Sequence, residues 1–172
     1  NPRFLLIFAH PDDETFVAAG LICRYGAAGA SFALVSATRG DAGGLGDPPL
    51  CTREALPERR EDELRQAAAS LGIHHIHILN YRDKRLSDAS ASTIRTELVD
   101  IICTHRPHVV VIVCPFELAA ERLDHVMSAG INAEAGDQSG EVDHRDLVVA
   151  FVVPEDDFII AVAAVGRHRH AN

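Results

Sequence analysis

Between positions 10 and 14 the chain reads His-Pro-Asp-Asp-Glu, one imidazole and three carboxylates within a single turn of backbone. His10 and Asp13 are three positions apart and can aim at one divalent cation. Zinc accepts imidazole and carboxylate, and a catalytic zinc takes three protein ligands and keeps one position open for water. Asp12 is then the spare carboxylate beside the ion. It can accept a proton from water made acidic by the metal, the role of a general base in the attack on an amide carbonyl. Such a ligand set, completed by a second imidazole, also suits ferrous iron, so Zn2+ is the expected metal and Fe2+ the alternative. The same carboxylates exclude a dinucleotide site, which would carry G-x-G-x-x-G here to let backbone approach a pyrophosphate.

These residues need elements to hold them. Phe4 to Phe8 is a short apolar run of the kind that forms a buried strand, followed by a helical stretch from about Asp13 to Arg24. Further strands are expected at Ser31–Ser36, Ile73–Leu79, Val109–Val113 and Leu147–Val153, with helices at about Leu56–Leu71, Ser90–His105 and Asp124–Ala135. A Gly-, Asp- and Pro-rich loop spans Gly40–Pro49, and Asp156–Val165 is ambiguous, with a lean to helix. Strand–helix alternation with continuous Val/Ile strands predicts a Rossmann-like α/β fold, a three-layer αβα sandwich with a mostly parallel sheet, as one domain over residues 1–172. Ligands of such sheets collect outside the carboxyl ends of the strands, where strand order reverses. The first and fourth strands are neighbours there, and the loop after the fourth runs to Asp124-His125. His125 is therefore the expected third ligand, with Asp124 orienting it. Asp143-His144 is the fallback.

A purely structural explanation competes with this one. Pro, Asp and Glu favour the first turn of a helix through capping and the macrodipole, and Asp-His at 124–125 could cap a helix as well. Capping leaves His10 unexplained, and two such motifs on neighbouring strand ends favour a metal. His75 and His77 alternate with Ile76 and Ile78, which reads as a polar strand edge before it reads as a metal pair. His168 and His170 sit in a polar tail.

The totals set the boundaries. A net charge of −9 argues against nucleic acid and anionic membranes as partners. The four cysteines are scattered, with no Cys-x-x-Cys pair, so a reducing cytoplasm is the expected compartment. No run approaches the ~20 apolar residues of a membrane span. The sequence does not open on Met, and an upstream start is expected.

Ala9-His10-Pro11-Asp12-Asp13-Glu14 resembles the signature of the PIG-L/LmbE-like N-deacetylases, the family of N-acetylglucosaminyl-phosphatidylinositol de-N-acetylase and of the deacetylases of mycothiol and bacillithiol synthesis. The resemblance implies zinc on His10 and Asp13, Asp12 as base, and removal of an acetyl or similar acyl group from the nitrogen of an amino sugar. Thr38-Arg39-Gly40-Asp41 resembles the family's T-R-G-(D/E). Arg60-x-x-Glu63-Leu64 resembles its R-x-x-E-L helix start, which implies that Arg60 faces substrate. Asn80-Tyr81-Arg82-Asp83 resembles its Y-x-D loop, which implies that Asp83 binds sugar hydroxyls. Ala163-Ala164-Val165-Gly166-Arg167-His168 is a loose match to a late A-A-x-x-x-H segment. The second family motif, H-x-D-H, reads Arg122-Leu123-Asp124-His125 here. Arg122 cannot act as a general acid because it stays protonated, but it can face substrate and hold an oxyanion. The chain is also short around Ala135–Val142, where a loop over the substrate is expected to be reduced. By analogy with relatives a homo-oligomer is expected. Two alternatives remain: an amidase acting on a thiol-sugar conjugate, and a non-catalytic relative that binds a sugar or a partner.

Overall fold

A computed structural model describes residues 1–112 and the backbone of Val113 and of residues 148–152 and 160–164. Six strands, β1 (Arg3–Phe8), β2 (Ser31–Thr38), β3 (His75–Tyr81), β4 (Val109–Val113), β5 (Val148–Val152) and β6 (Ile160–Ala164), form one sheet in the order β3-β2-β1-β4-β5-β6. Strand order reverses between β1 and β4, which pair in parallel with Phe4 opposite Val109 and Ile7 opposite Ile112. β2 and β3 are parallel to β1, and β5 is parallel to β4. The fold is the Rossmann-like αβα sandwich.

Alternation along the strands divides the apolar residues between two cores. Phe4, Leu6 and Phe8 of β1, with Phe32 and Leu34 of β2, pack on one face. There they meet Ile22 of α2 (Ala19–Ala27) and Leu64 and Ala68 of α3 (Leu56–Ser70). Leu5, Ala33, Val35, Val110 and Ile112 take the other face, against Leu98 and Ile101 of α4 (Ala91–His105). Helices on both faces leave the central strands no polar side, which is why β1 and β4 read as unbroken apolar runs. Ser90 caps α4, its hydroxyl accepting from the Thr93 amide, and the helix ends on Arg106 in a left-handed conformation before Pro107.

The structure departs from expectation in three places. The helix expected over Asp13–Arg24 is divided into a single turn, α1 (Asp13–Phe16), and the separate α2. The break follows Thr15-Phe16-Val17, three residues of low helix propensity. Residues 160–164, expected to be helical, form β6, paired antiparallel with β5 from Val148 opposite Ala164 to Val152 opposite Ile160. A five-residue apolar run fits either period, and the open edge of β5 supplies the backbone partners that decide it. β3 also starts later than expected, at His75, and is the other edge of the sheet, as its alternating histidines suggest. Among the described residues no helix is long and apolar enough to cross a membrane.

Candidate metal centre and active site

The site grows from the turn that follows β1. Thr38, at the end of β2, donates its backbone amide (3.0 Å) and hydroxyl (2.8 Å) to the carbonyl of Ala9, tying the ends of the two strands together. A register shift between Ser36 and Thr38 accompanies this junction. The Thr38 hydroxyl in turn accepts from the Gly40 amide at 3.2 Å. Gly40 has φ +65°, and a Cβ on it would stand 3.3 Å from the Pro11 ring and 3.6 Å from Arg60 Nε. The loop after β2 therefore lies directly against the His-Pro-Asp-Asp turn.

Each carboxylate of the turn has a different task. Asp13 Oδ2 accepts from the His10 amide at 3.0 Å and lies 3.7 Å from His10 Nδ1. Glu14 is buried and turned inward, accepting from the Asp12 amide (3.0 Å) and the Thr15 hydroxyl (2.7 Å). Asp12 occupies the N-cap position of α1, yet its side chain makes no capping bond. Its carboxylate instead pairs with Arg60 Nη2 at 2.7 Å. Capping thus accounts for neither aspartate. Asp12 is also strained, with φ +134°, outside the conformations comfortable for a residue with a Cβ.

Arg60 is placed by α3, whose charged, strongly helix-forming sequence runs past the turn. Besides Asp12 it donates to the Pro11 carbonyl, and its Nη1 pairs with Glu63 at 2.9 Å. Asp83 arrives from the loop after β3 and is nearly buried. Its Oδ1 lies 3.2 Å from His10 Nε2, and its Oδ2 accepts from the Ala42 amide at 3.2 Å. The Asp83 amide donates to Asp41 Oδ1 at 2.9 Å. His10 is therefore flanked by acids on both nitrogens. Asp13 does most to raise its pKa above the usual imidazole value, with Asp83 and Asp12 adding to the effect and partial burial opposing it.

This arrangement fits a cation at His10 and Asp13. Two ligands of a tetrahedral zinc at 2.0–2.1 Å stand about 3.3 Å apart. Nδ1 of His10 and Oδ2 of Asp13, at 3.7 Å, are within a small side-chain adjustment of that spacing. With a cation on Nδ1, Asp83 on the opposite nitrogen would supply the carboxylate that fixes ring orientation at metal sites. Among the described residues no group of three or more potential ligands encloses a common point. His125, Asp124 and Arg122, with the fallback Asp143-His144, lie outside the described residues.

The fold brings together His10, Asp12 and Asp13, expected from the His-Pro-Asp-Asp turn, with Arg60 and Asp83, which the family resemblance implies. Glu14, Thr38 and Asp41 have no expected role. The T-R-G-D segment was the signal for the latter two; Glu14 was hidden among residues that any helix start tolerates.

Residues 5–135 match the sequence family described as GlcNAc-PI de-N-acetylase, PIG-L. The chain belongs to this family. Within the PIG-L family it is 35% identical over 108 residues to a probable N-acetyl-alpha-D-glucosaminyl L-malate deacetylase 2 of Bacillus anthracis, covering 62% of this chain and 48% of that protein. It is 38% identical over 130 residues to the 1D-myo-inositol 2-acetamido-2-deoxy-alpha-D-glucopyranoside deacetylase of Thermobifida fusca, covering 63% and 46%. The chain spans about half the length of these curated relatives. In fold it is similar to the N,N'-diacetylchitobiose deacetylase of Pyrococcus horikoshii, with a TM-score of 0.63 at 24% identity, over 87% of this chain and 60% of that one. It is similar also to GalB, the 4-carboxy-2-hydroxymuconate hydratase of Pseudomonas putida KT2440, with a TM-score of 0.71 at 19% identity, over 90% and 66%. The fold therefore hosts more than one chemistry, and function has to be argued from the site.

Proposed function

We propose that this chain, as one domain over residues 1–172, removes an acetyl or similar acyl group from the nitrogen of an amino sugar or sugar conjugate, using a divalent metal. The observation that carries the proposal is an imidazole, His10, flanked by Asp13 on Nδ1 and Asp83 on Nε2, beside an Asp12 held by Arg60, at the carboxyl end of β1. His10 and Asp13 would hold the metal with His125, itself oriented by Asp124. Zinc is the favoured ion and ferrous iron the alternative. The names of the curated relatives, both deacetylases of N-acetylated glucosamine conjugates, support the substrate class.

When bound, the metal supplies Lewis acidity toward the amide oxygen and toward water. Asp12, its carboxylate aligned by Arg60, takes a proton from the water that attacks the amide carbon. The C–N bond then breaks, and Asp12 returns the proton to the departing nitrogen, giving the free amine and a carboxylic acid. The same carboxylate serves both transfers because Arg122, where the family motif has His, cannot donate a proton. Arg122 would instead face the developing oxyanion. Arg60 also borders the substrate. Asp83 has its oxygens on His10 and Ala42, which supports a role in orienting His10 in addition to any contact with sugar hydroxyls. Scattered cysteines support a cytoplasmic setting; Cys23, Cys51 and Cys103 are free thiols.

The test is amine release from N-acetylglucosamine and its malate and inositol conjugates by zinc-loaded and iron-loaded protein, compared with Asp12→Asn. Amine release that collapses in Asp12→Asn while metal content is unchanged is the expected result. Unchanged turnover in the variant removes Asp12 as base. Absence of turnover on every conjugate, with metal bound, favours the non-catalytic relative that the Arg122 substitution brings into view.

A further inference from the structure

Glu14 is the buried acid of the His-Pro-Asp-Asp-Glu turn, 1% exposed where Asp12 and Asp13 are partly open. A carboxylate withdrawn from water needs hydrogen-bond donors to offset its lost hydration. Among the described residues Glu14 has two, the Asp12 amide on Oε2 at 3.0 Å and the Thr15 hydroxyl on Oε1 at 2.7 Å. A bond back to an N-cap amide resembles half of a capping box, in which the acid stands at the third helical position. Glu14 stands at the second position, in a helix of only four residues. An acid left open to water would serve so short a helix as well, so capping does not account for the burial.

The consequence of that bond falls on Asp12, at whose Cα two peptide planes meet. The later plane is fixed by α1, because the Asp12 carbonyl accepts from the amides of Thr15 at 2.9 Å and Phe16 at 3.0 Å. The earlier plane is held at both ends. Arg60 Nη2 donates to the Pro11 carbonyl, and Glu14 accepts from the Asp12 amide. With both planes held, Asp12 keeps its uncomfortable φ +134° and ψ −23°. Arg60 alone would hold the earlier plane only at its oxygen, and the plane could pivot there toward an easier φ. The direction of the Asp12 side chain relative to His10 would change with it. We infer that Glu14 is a positioning residue, which by holding the Asp12 amide fixes where the Asp12 carboxylate points relative to His10 and Asp13. This assignment rests on Asp12 moving the proton in the deacetylation proposed above. What counts at position 14 is then a buried acceptor aimed at one amide. Glutamine supplies that acceptor, and its NH2 group can donate to a Thr15 hydroxyl that has turned round. Leucine fills a similar volume and supplies none.

The full chain is compared with Glu14→Leu, Glu14→Gln and Thr15→Val by amine release and by hydrogen exchange at the Asp12 amide. In Glu14→Leu kcat should fall about tenfold or more, with KM and metal content unchanged. The Asp12 amide should exchange about tenfold faster in that variant. Glu14→Gln should return both readouts to near wild type. Thr15→Val, at an exposed position, frees one oxygen of Glu14 and should move both readouts the same way by a smaller factor. It decides the matter where urea denaturation shows that Glu14→Leu does not fold. In an Asp12→Asn background Glu14→Leu should lower the residual rate no further, since the group it positions is already gone. Unchanged kcat in Glu14→Leu and Thr15→Val, a Glu14→Gln chain as slow as Glu14→Leu, or a further loss in the Asp12→Asn background overturns the assignment. An Asp12 amide that exchanges alike in wild type and variants overturns it whether or not substrate is turned over. A wild type without turnover on any conjugate, whose Asp12 amide is still freed by Glu14→Leu, sinks the deacetylase reading and leaves the hold on Asp12 standing.

Discussion

Replacing Arg60 with Ala removes what holds Asp12 in place, and the structure gives the scale of the effect. A non-glycine residue at φ +134° costs about 1–3 kcal/mol. Opposing that cost are the Arg60 bonds to the Asp12 carboxylate and to the Pro11 carbonyl, and the Glu14 bond to the Asp12 amide. Bonds to charged groups contribute about 1.5–3 kcal/mol each when buried. The Arg60 and Asp12 side chains are 26% and 42% exposed, so their pair lies nearer the ~1 kcal/mol of an open ion pair. The two Arg60 contacts to the turn together are then worth about 2–3 kcal/mol, similar to the strain they oppose. Arg60→Ala lets Asp12 relax and recovers part of that strain. Net stability should fall by only about 1 kcal/mol, while the carboxylate loses its alignment and kcat falls about 10- to 100-fold, equivalent to about 1.4–2.7 kcal/mol of barrier. Arg60→Lys, a point charge without the planar fork, should fall between. Urea denaturation gives the stability change and steady-state amine release the rate. An Arg60→Ala protein with near wild-type kcat refutes the positioning argument. So does a stability loss above about 3 kcal/mol, since strain relief should cap it.

Three further outcomes are expected. Gly40→Ala places a β-carbon 3.3 Å from the Pro11 ring at φ +65°, and should destabilise the fold by about 1–2 kcal/mol, read as a lower urea midpoint with an unchanged slope. The Tyr81 hydroxyl donates to Glu97 at 2.7 Å, and burial with that carboxylate pushes its pKa up to about 12. The unfolded chain ionises near 10, so this contribution is intact below about pH 10 and disappears as pH rises toward 12; Tyr81→Phe should flatten the alkaline limb of the stability curve. In the metal-free protein the His10 imidazole should titrate above 6.5 by NMR, and Asp83→Asn should bring the midpoint down by removing one of the acids that raise it. An unmoved midpoint in that variant would mean that Asp83 does not act on the ring.

The parts of this structure legible in the sequence are those that depend on short-range pattern. β1, β2 and β4 announced themselves as runs buried on two sides, and their order at the switch point follows from the handedness of parallel crossovers. His10 and Asp13 were visible because an imidazole directly after a strand has no capping explanation. Ile160–Ala164 is too short to carry a decisive period, so its sequence leaves helix and strand open with a lean to helix, and the edge of β5 selects the strand. The grip of Asp83 on His10 joins loops 73 positions apart, and that of Arg60 on Asp12 spans 48. Family motifs located these residues, but spacing alone could not say what they would touch. Glu14 was hardest to assign, for an acid in a first helical turn looks like ordinary decoration until its burial is seen.

The unusual backbone at Asp12 carries a warning for anyone improving this protein. A selection for heat resistance alone would favour glycine at this position, because a residue without a β-carbon sits there at ease. Such a screen would report success while deleting the group proposed to move the proton. Robustness and chemistry are set against each other at one torsion angle, and a stabilised library should keep that codon fixed.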